Sequence, residues 1–365
     1  MLYGKIENIG AAKTKFHFTN NSDQQKNTLD IKAEDHNHAS GYLIDWLEKQ
    51  EGFDSVKAIG HRIVNGMQHT KPEIISDKLL IELKKNRAID PEHLPEEIKL
   101  IEIFKKRYPA IKQVACFDTS FHTSMPMAAK LLSIPRRYYE MGIRRYGFHG
   151  LSYTYLMEEI QCTDGEKTAR SKIVLAHLGS GASLAAVKRG KSIDTSMGFT
   201  PTSGLPMGTR SGDLDPGAVI YLIQKENRTT EEFSHIINYE AGLLGISGKS
   251  ADMRELMKVE NTDLHAAQAI ELFCYQTKKG IGSFAAALGG LDLLVFTGGI
   301  GENSPEVRTK ICEGLEFLGI KLDEIKNMNN KAVISAETGK VKVRVIKTNE
   351  ELIIAKLVLE VLPYQ

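Results

Sequence analysis

The chain has 365 residues, 42% apolar and 25% charged, with a formal net charge of +1. That length exceeds the ~250–300 residues at which single cores stop growing, so two domains are expected. The near-neutral balance gives no reason to expect nucleic acid or an anionic membrane as partner. Cys116, Cys162, Cys274 and Cys312 are scattered, with neither C-x-x-C nor metal spacing. The longest apolar stretch, 281–300, is broken by Gly, Ser and Asp292, and the N-terminus lacks a signal-peptide pattern. A cytoplasmic protein with reduced thiols and no membrane span is expected.

In chain order, Leu2 to Ile9 and Lys13 to Phe18 read as paired strands around a Gly10 turn, and Asn20 to Asn27 as a polar loop. Helical periodicity covers 38–50, and a short strand at 55–59 runs into Gly60-His61-Arg62. Helices are predicted at 77–86 and 96–106, the second entered through Pro91 to Pro95. Strand 113–117 delivers Asp118-Thr-Ser-Phe-His122, helix 152–160 follows, and 162–171 reads as a charged loop.

The central stretch comes next. An apolar strand, Ile173 to Ala176, enters a Gly179-Ser180-Gly181 turn, Ser183 to Val187 leaves it, and Arg189-Gly190-Lys191 turns into a third strand at 192–195. Glycines at 179 and 181 let backbone N–H groups face an anion, and Ser180 and Ser183 add hydroxyl donors. Taken alone, the same residues describe an ordinary hairpin. Helices follow at 216–224 and 230–239, then an amphipathic helical region at 261–288. Strand 291–296 enters the Gly-rich loop 297–304, where the start of a helix over 305–318 favours anions. Strand 341–346, a Thr348-Asn-Glu350-Glu351 cap and helix 351–362 close the chain. Strands alternating with helices imply mixed α/β layers.

Arg62, Asp118, His149 and Arg210 stand at strand mouths or in Gly-punctuated bends: Gly60-His-Arg62, Gly147-Phe-His149-Gly150 and Met207-Gly-Thr-Arg210-Ser-Gly. Small flanking residues let a ligand approach the backbone while a long donor reaches it. Two arginine forks suit carboxylate and phosphoryl oxygens. One such residue alone is ordinarily a surface ion pair or a satisfied core group; several together point to anion chemistry.

Six ordered motifs extend this pattern: Phe117-Asp-Thr-Ser-Phe-His-Thr-Ser-Met-Pro126, Arg145-Tyr-Gly-Phe-His-Gly150, His177-Leu-Gly-Ser-Gly181, Met207-Gly-Thr-Arg-Ser-Gly-Asp213, Phe296-Thr-Gly-Gly-Ile-Gly-Glu-Asn-Ser304 and Thr348-Asn-Glu-Glu351. On them the chain resembles the acetate/propionate kinase family, over about residue 2 to residue 360. The resemblance implies the two-domain sugar kinase/Hsp70/actin-like (ribonuclease H-like) α/β fold with a duplicated βββαβαβα core. Residues 1–118 plus 351–365 would form the acyl and phosphate side, and 119–350 the nucleotide-binding domain. The implied reaction is transfer of the ATP γ-phosphoryl group to acetate, with Mg2+ or Mn2+, in a homodimer.

The resemblance also implies residue roles. Asp118, His149 and Arg210 would be catalytic, with Arg62, Val64, His93, Phe148 and Pro201 binding the substrate. ATP would meet His177, Leu178, Gly179, Ser180 and Gly181, then Asp252, Met253 and Arg254, and Gly299, Ile300, Gly301, Glu302 and Asn303. Glu350 would serve the metal. Asp118 fits an orienting role better than proton donation, because a carboxylate nucleophile has no proton to lose at pH 7. Such a site accelerates transfer by alignment and by neutralising spreading charge.

Two departures qualify the resemblance. The family opens with a strand and an Asn-x-Gly-Ser-Ser-Ser-x-Lys loop that has no counterpart here, so a true start ~20–25 residues upstream is expected, the length two strands and their turns need. Glu92 stands beside His93 where the family has Leu, and a carboxylate there would repel a carboxylate substrate. Propionate is the alternative substrate, and a non-catalytic nucleotide-binding relative the alternative from another class.

Overall fold

Alternation of apolar and polar residues builds a small meander first. The structure, a computed structural model, describes residues 2–10, 13–20, 25–87, 90 and 93–362. Strands β1 (Leu2–Glu7), β2 (Thr14–Asn20) and β3 (Gln25–Ile31) pair antiparallel in that order, with Thr14 opposite Ile31 and Asn20 opposite Gln25. Phe16, buried on β2, meets Trp46 edge-to-face at 4.8 Å, under the helix His36–Leu47 capped by Asp35. Strands β4 (Ala58–Ile63), β5 (Glu73–Ile74) and β6 (Lys112–Phe117) form a second sheet in the order β4-β6-β5. Helices Asp77–Asn86 and Leu94–Arg107 bury Leu79, Leu83, Ile98 and Ile101. These elements belong to one compact unit, residues 1–63, 72–116 and 357–365.

The second unit comprises residues 64–71 and 117–356. Its sheet runs β11-β10-β7-β8-β9, built from β7 (Lys172–Leu178), β8 (Ala182–Lys188), β9 (Lys191–Thr195), β10 (Leu293–Thr297) and β11 (Lys342–Val345). The first three form an antiparallel meander, and β10 and β11 add in parallel. Central β7 is buried on both faces, which is why it reads as a continuous apolar run. Ile173 and Leu175 pack with Tyr153, Leu156 and Ile160 of the helix Gly150–Asp164. Val174 and Ala176 pack in the cluster of Phe273, Ile281 and Phe284 from the helix Leu264–Leu288. Among the described residues no helix is long and apolar enough to cross a membrane.

Several boundaries differ from the sequence reading. Residues 25–27, read as loop, belong to β3: its exposed polar residues give no apolar alternation, and pairing with β2 decides the conformation. The loop reading of residues 21–24 lies outside the described residues, as does Glu92. The helix Gly150–Asp164 continues into the start of the charged segment, and Glu166–Ala169 adds another turn. The Gly-rich stretch after β10 is a helical turn, Gly298–Asn303, not an open loop. A separate helix, Met253–Val259, precedes Leu264–Leu288, and the helix from Pro305 stops at Cys312.

Candidate active site

The tip of the β7–β8 hairpin is the centre of the second unit's polar groups. Gly179 N–H donates to the Gly181 carbonyl at 2.9 Å, which closes the turn. A side chain at Gly181 would lie 3.3 Å from His149 Nε2 and 3.9 Å from Arg210 Nη1. The missing side chain at Gly181 therefore leaves open the space that both groups border. Gly208 N–H donates to the Ser180 carbonyl at 3.0 Å, so the Arg210 loop is docked on the same tip.

His149 is placed by its neighbours' lack of side chains. It caps the helix Gly150–Asp164 with φ at 58°, a left-handed conformation few side chains adopt. A Cβ on Gly150 would fall 1.8 Å from the Asp118 carbonyl, and one on Gly147, itself at φ 76°, 2.6 Å from the His122 ring. Asp118 is fully buried at the start of the 3-10 helix Asp118–Ser124 that follows β6. Burial pushes His122 down to about 4, against the Phe148 carbonyl and the Asp118 carboxylate, which pull it up. His122 is thus neutral, bonded to Phe148 O at 3.0 Å and Ser192 Oγ at 2.9 Å.

A hydrogen-bond chain holds the His149 ring. Burial pushes the Tyr153 phenol up, so it stays protonated. Tyr153 Oη and Ser183 Oγ share a hydrogen bond, and Ser183 Oγ lies 2.8 Å from His149 Nδ1. That contact leaves Nε2 as the His149 nitrogen beside Gly181. The His149 ring stacks on His177 at 4.2 Å between centroids, and His177 Nδ1 bonds Ser152 Oγ at 2.9 Å, which in turn bonds Thr348 Oγ1 at 2.9 Å. Thr348 brings Glu350, two residues on, to the first turn of the helix Glu350–Val361.

The other expected nucleotide residues divide between surface and scaffold. Gly298 has φ at 78°, and a Cβ there would lie 2.7 Å from the Leu178 carbonyl, whereas Gly299 is exposed with open space before it. Glu302 turns inward: its Oε1 accepts from Gly298 N–H at 3.0 Å, Thr297 Oγ1 at 3.2 Å and Thr348 N–H at 3.2 Å. Asn303 donates to the Gly299 carbonyl at 2.9 Å, Ile300 is half-buried and Gly301 is buried. Asp252 caps the helix Met253–Val259 and pairs with Arg254, while Met253 is core. The sequence reading missed Arg308, a fully buried guanidinium. It donates to the Gly301 carbonyl at 2.8 Å, to Asn327 Oδ1 at 2.8 Å and to Asn330 Oδ1 at 2.6 Å.

The substrate candidates fall in both units. Arg62 is the exposed member of an alternating His61-Arg62-Ile63 on β4, and His93 Nδ1 bonds the buried Asp90 at 2.9 Å, both in the first unit. Val64, Phe148 and Pro201 are buried in the second. Tyr153 lies four residues after His149, a helical spacing that marks it in sequence; Arg308 has no such signal, its partners lying about twenty residues further on.

Known proteins resemble this chain over nearly its whole length. The model of the Acetokinase family matches residues 1–356. An acetate kinase of Rickettsia felis is 44% identical over 98% of this chain and 92% of its own length. The crystal structure of Porphyromonas gingivalis acetate kinase superposes with a TM-score of 0.86 at 35% identity, covering 99% of this chain and 93% of that one. That of a propionate kinase from Francisella tularensis gives 0.90 at 36% identity, covering 98% and 92%. With the β11-β10-β7-β8-β9 sheet of the sugar kinase and actin-like fold and a hairpin tip flanked by His149 and Arg210, the chain belongs to the Acetokinase family.

Proposed function

We propose that the chain transfers the γ-phosphoryl group of ATP to acetate, reversibly, as a phosphotransferase with a carboxyl acceptor. The observation that carries the reading is the convergence of His149 Nε2 and Arg210 Nη1 on the space a Gly181 side chain would occupy. An acetate oxygen forms a bond to the γ-phosphorus as the bond to the bridging oxygen breaks, and ADP leaves with that electron pair. No general base is required, because acetate is ionised at neutral pH. The Nε2–H of His149 and the Arg210 guanidinium stabilise charge on the phosphoryl oxygens without reorganising. Asp118 orients these groups, and Arg62, His93, Val64, Phe148 and Pro201 are assigned to the acyl side.

The nucleotide is assigned to residues 119–350. His177 to Gly181 take the phosphates, and Asp252 to Arg254 with Gly299 to Asn303 take the nucleoside, laid against the open backbone of Gly299. Residues 1–118 with 351–365 are assigned the acyl and phosphate side. Glu350 fits a magnesium or manganese ion, since its carboxylate is a hard oxygen donor two residues beyond Thr348, whose hydroxyl joins the His177 network. Among the described residues no three His, Cys, Asp or Glu side chains converge. When bound, the cation neutralises phosphate charge.

Hydroxylamine trapping of acyl phosphate, with ATP and magnesium, tests the reading across acetate, propionate and butyrate. Acetate is expected to give the highest kcat/KM. Higher turnover on propionate would assign the activity named for the Francisella tularensis relative; ATP binding with no turnover on any acid would leave a non-catalytic nucleotide-binding protein. We place the enzyme in the cytosol, where ATP and reduced thiols occur together.

We also infer a homodimer. The helix Pro216–Lys225 carries Ala218, Val219, Ile220, Tyr221, Leu222 and Ile223, yet buries none of its residues, with Ile220 56% and Tyr221 61% exposed. Such an apolar face needs cover. Light scattering should report a dimer for the native chain and a monomer for Ile220→Asp/Tyr221→Asp. A dimer that persists in the double variant places the interface elsewhere.

A further inference from the structure

We propose that Asn238 is a positioning residue that sets Arg210 for phosphoryl transfer, acting from a single π-helical turn. The proposal rests on the role given to Arg210 above. The helix Thr230–His235 passes into a π turn at Ile236–Glu240, a widened geometry that is rare and found mostly at functional places. Asn238 lies in that turn and is 6% exposed.

Its side chain holds one loop and its backbone carbonyl another. Asn238 Nδ2 donates to the Ser234 carbonyl at 2.9 Å, which fixes the amide, and its Oδ1 accepts from Thr202 Oγ1 at 2.5 Å. Thr202 follows Pro201. The Asn238 carbonyl accepts from Thr209 Oγ1 at 2.8 Å, and the Ile237 carbonyl from Ser211 N–H at 2.9 Å. Thr209 and Ser211 flank Arg210 on either side. The last carbonyls of a helix have no partner within it; here the Arg210 loop supplies the donors.

The next helix holds the loop from the other side. Ala241 N–H donates to the Thr209 carbonyl at 3.0 Å, Leu243 N–H to Met207 at 2.8 Å and Leu244 N–H to Gly208 at 2.9 Å. These are among the first N–H groups of Gly242–Ser247, also orphaned by helix geometry. Gly242 has φ at 60°, and a Cβ on it would fall 2.2 Å from the Met207 carbonyl and 2.6 Å from that of Arg210. Met207 to Ser211 is therefore clasped between the end of one helix and the start of the next. Asn238 is the side chain through which the clasp also grips Thr202, so one residue holds the Arg210 loop by its carbonyl and the loop of Pro201 by its amide, and the amide fixes the turn that presents the carbonyl.

Two measurements on Asn238→Ala decide the matter. Hydrogen exchange of the Ser211 amide should quicken by about tenfold or more, with the β7 and β8 amides unchanged. The kcat for acyl phosphate should fall about 10–50-fold with the ATP KM within about twofold, and within an Arg210→Lys background the same substitution should cost less than about twofold, because both act on one group. Thr202→Val, which keeps shape and removes one hydroxyl donor, should show the same pattern more weakly and covers the case in which Asn238→Ala fails to fold. Unchanged Ser211 exchange in both variants, or a full loss carried into the Arg210→Lys background, would overturn the proposal. A native chain that makes no acyl phosphate would refute the activity, while the exchange result still decides the clasp.

Discussion

A Gly150→Ala chain is expected to be less stable by about 3 kcal/mol or more and to lose acyl phosphate formation about 100-fold beyond its loss of folded protein. The new methyl carbon would fall 1.8 Å from the Asp118 carbonyl oxygen, 2.8 Å from its carbon and 3.0 Å from Phe121 Cβ. The first two are backbone atoms, so no rotamer change relieves the clash. Either the first turn of the helix Gly150–Asp164 or the Asp118 peptide must move, and His149, the residue before Gly150, moves with it. Gly282→Ala is the matched control, since nothing lies within 4 Å of its added carbon and it sits inside the helix Leu264–Leu288. It should be neutral or stabilising by about 0.5–1 kcal/mol. Thermal unfolding and trapped turnover on both chains check the pair; equal behaviour would show that the contact between Asp118 and Gly150 does not hold His149.

Stability should fall as pH drops from about 6.5 towards 4, by a contribution on the order of 3 kcal/mol from His122. Above the ordinary histidine value neither folded nor unfolded chain protonates this ring. Below it the unfolded chain gains a proton that burial denies the folded one until about pH 4, so the unfolded state is favoured as pH falls through that window. His61 follows the same sign in the first unit: burial pushes it down to about 4, and the hydrogen bond to Gln113, 2.7 Å away, opposes that only in part. Urea unfolding at pH 7 and 4.5 measures the effect. His122→Asn keeps a donor for the Phe148 carbonyl and an acceptor for Ser192 but cannot titrate, so its stability should depend less on pH. An identical slope in both chains would place the titration in other groups.

The parts legible in sequence were those whose signal is local. The β7–β8 hairpin shows as two apolar runs around Gly179-Ser180-Gly181 because both faces of β7 are buried, and the helix Asp77–Asn86 announces itself by Ser76 as cap and Leu79, Leu80 and Leu83 on one face. Gly147 and Gly150 flag His149 because only glycine tolerates those approaches. What stayed hidden depends on partners far along the chain. Strand β3 exists through pairing, not pattern. Glu302 reads as a ligand group, and nothing local signals that it also bonds Gly298 and Thr348 and so clasps two segments. Asn238 looks like any helix-end asparagine until its two loops are seen.

Arg308 has a consequence for how this protein can be recombined. Its guanidinium joins the Gly298–Asn303 turn to Asn327 and Asn330; burial lowers its proton affinity to about 10, so it stays charged at neutral pH and needs those acceptors to offset the cost of burying it. The helix that begins at Pro305 is accordingly not a portable cassette. A chimera whose crossover falls between residues 308 and 327 would inherit the cation from one parent and its side-chain acceptors from the other. Segment 308–330 travels intact or leaves a charge stranded in the core.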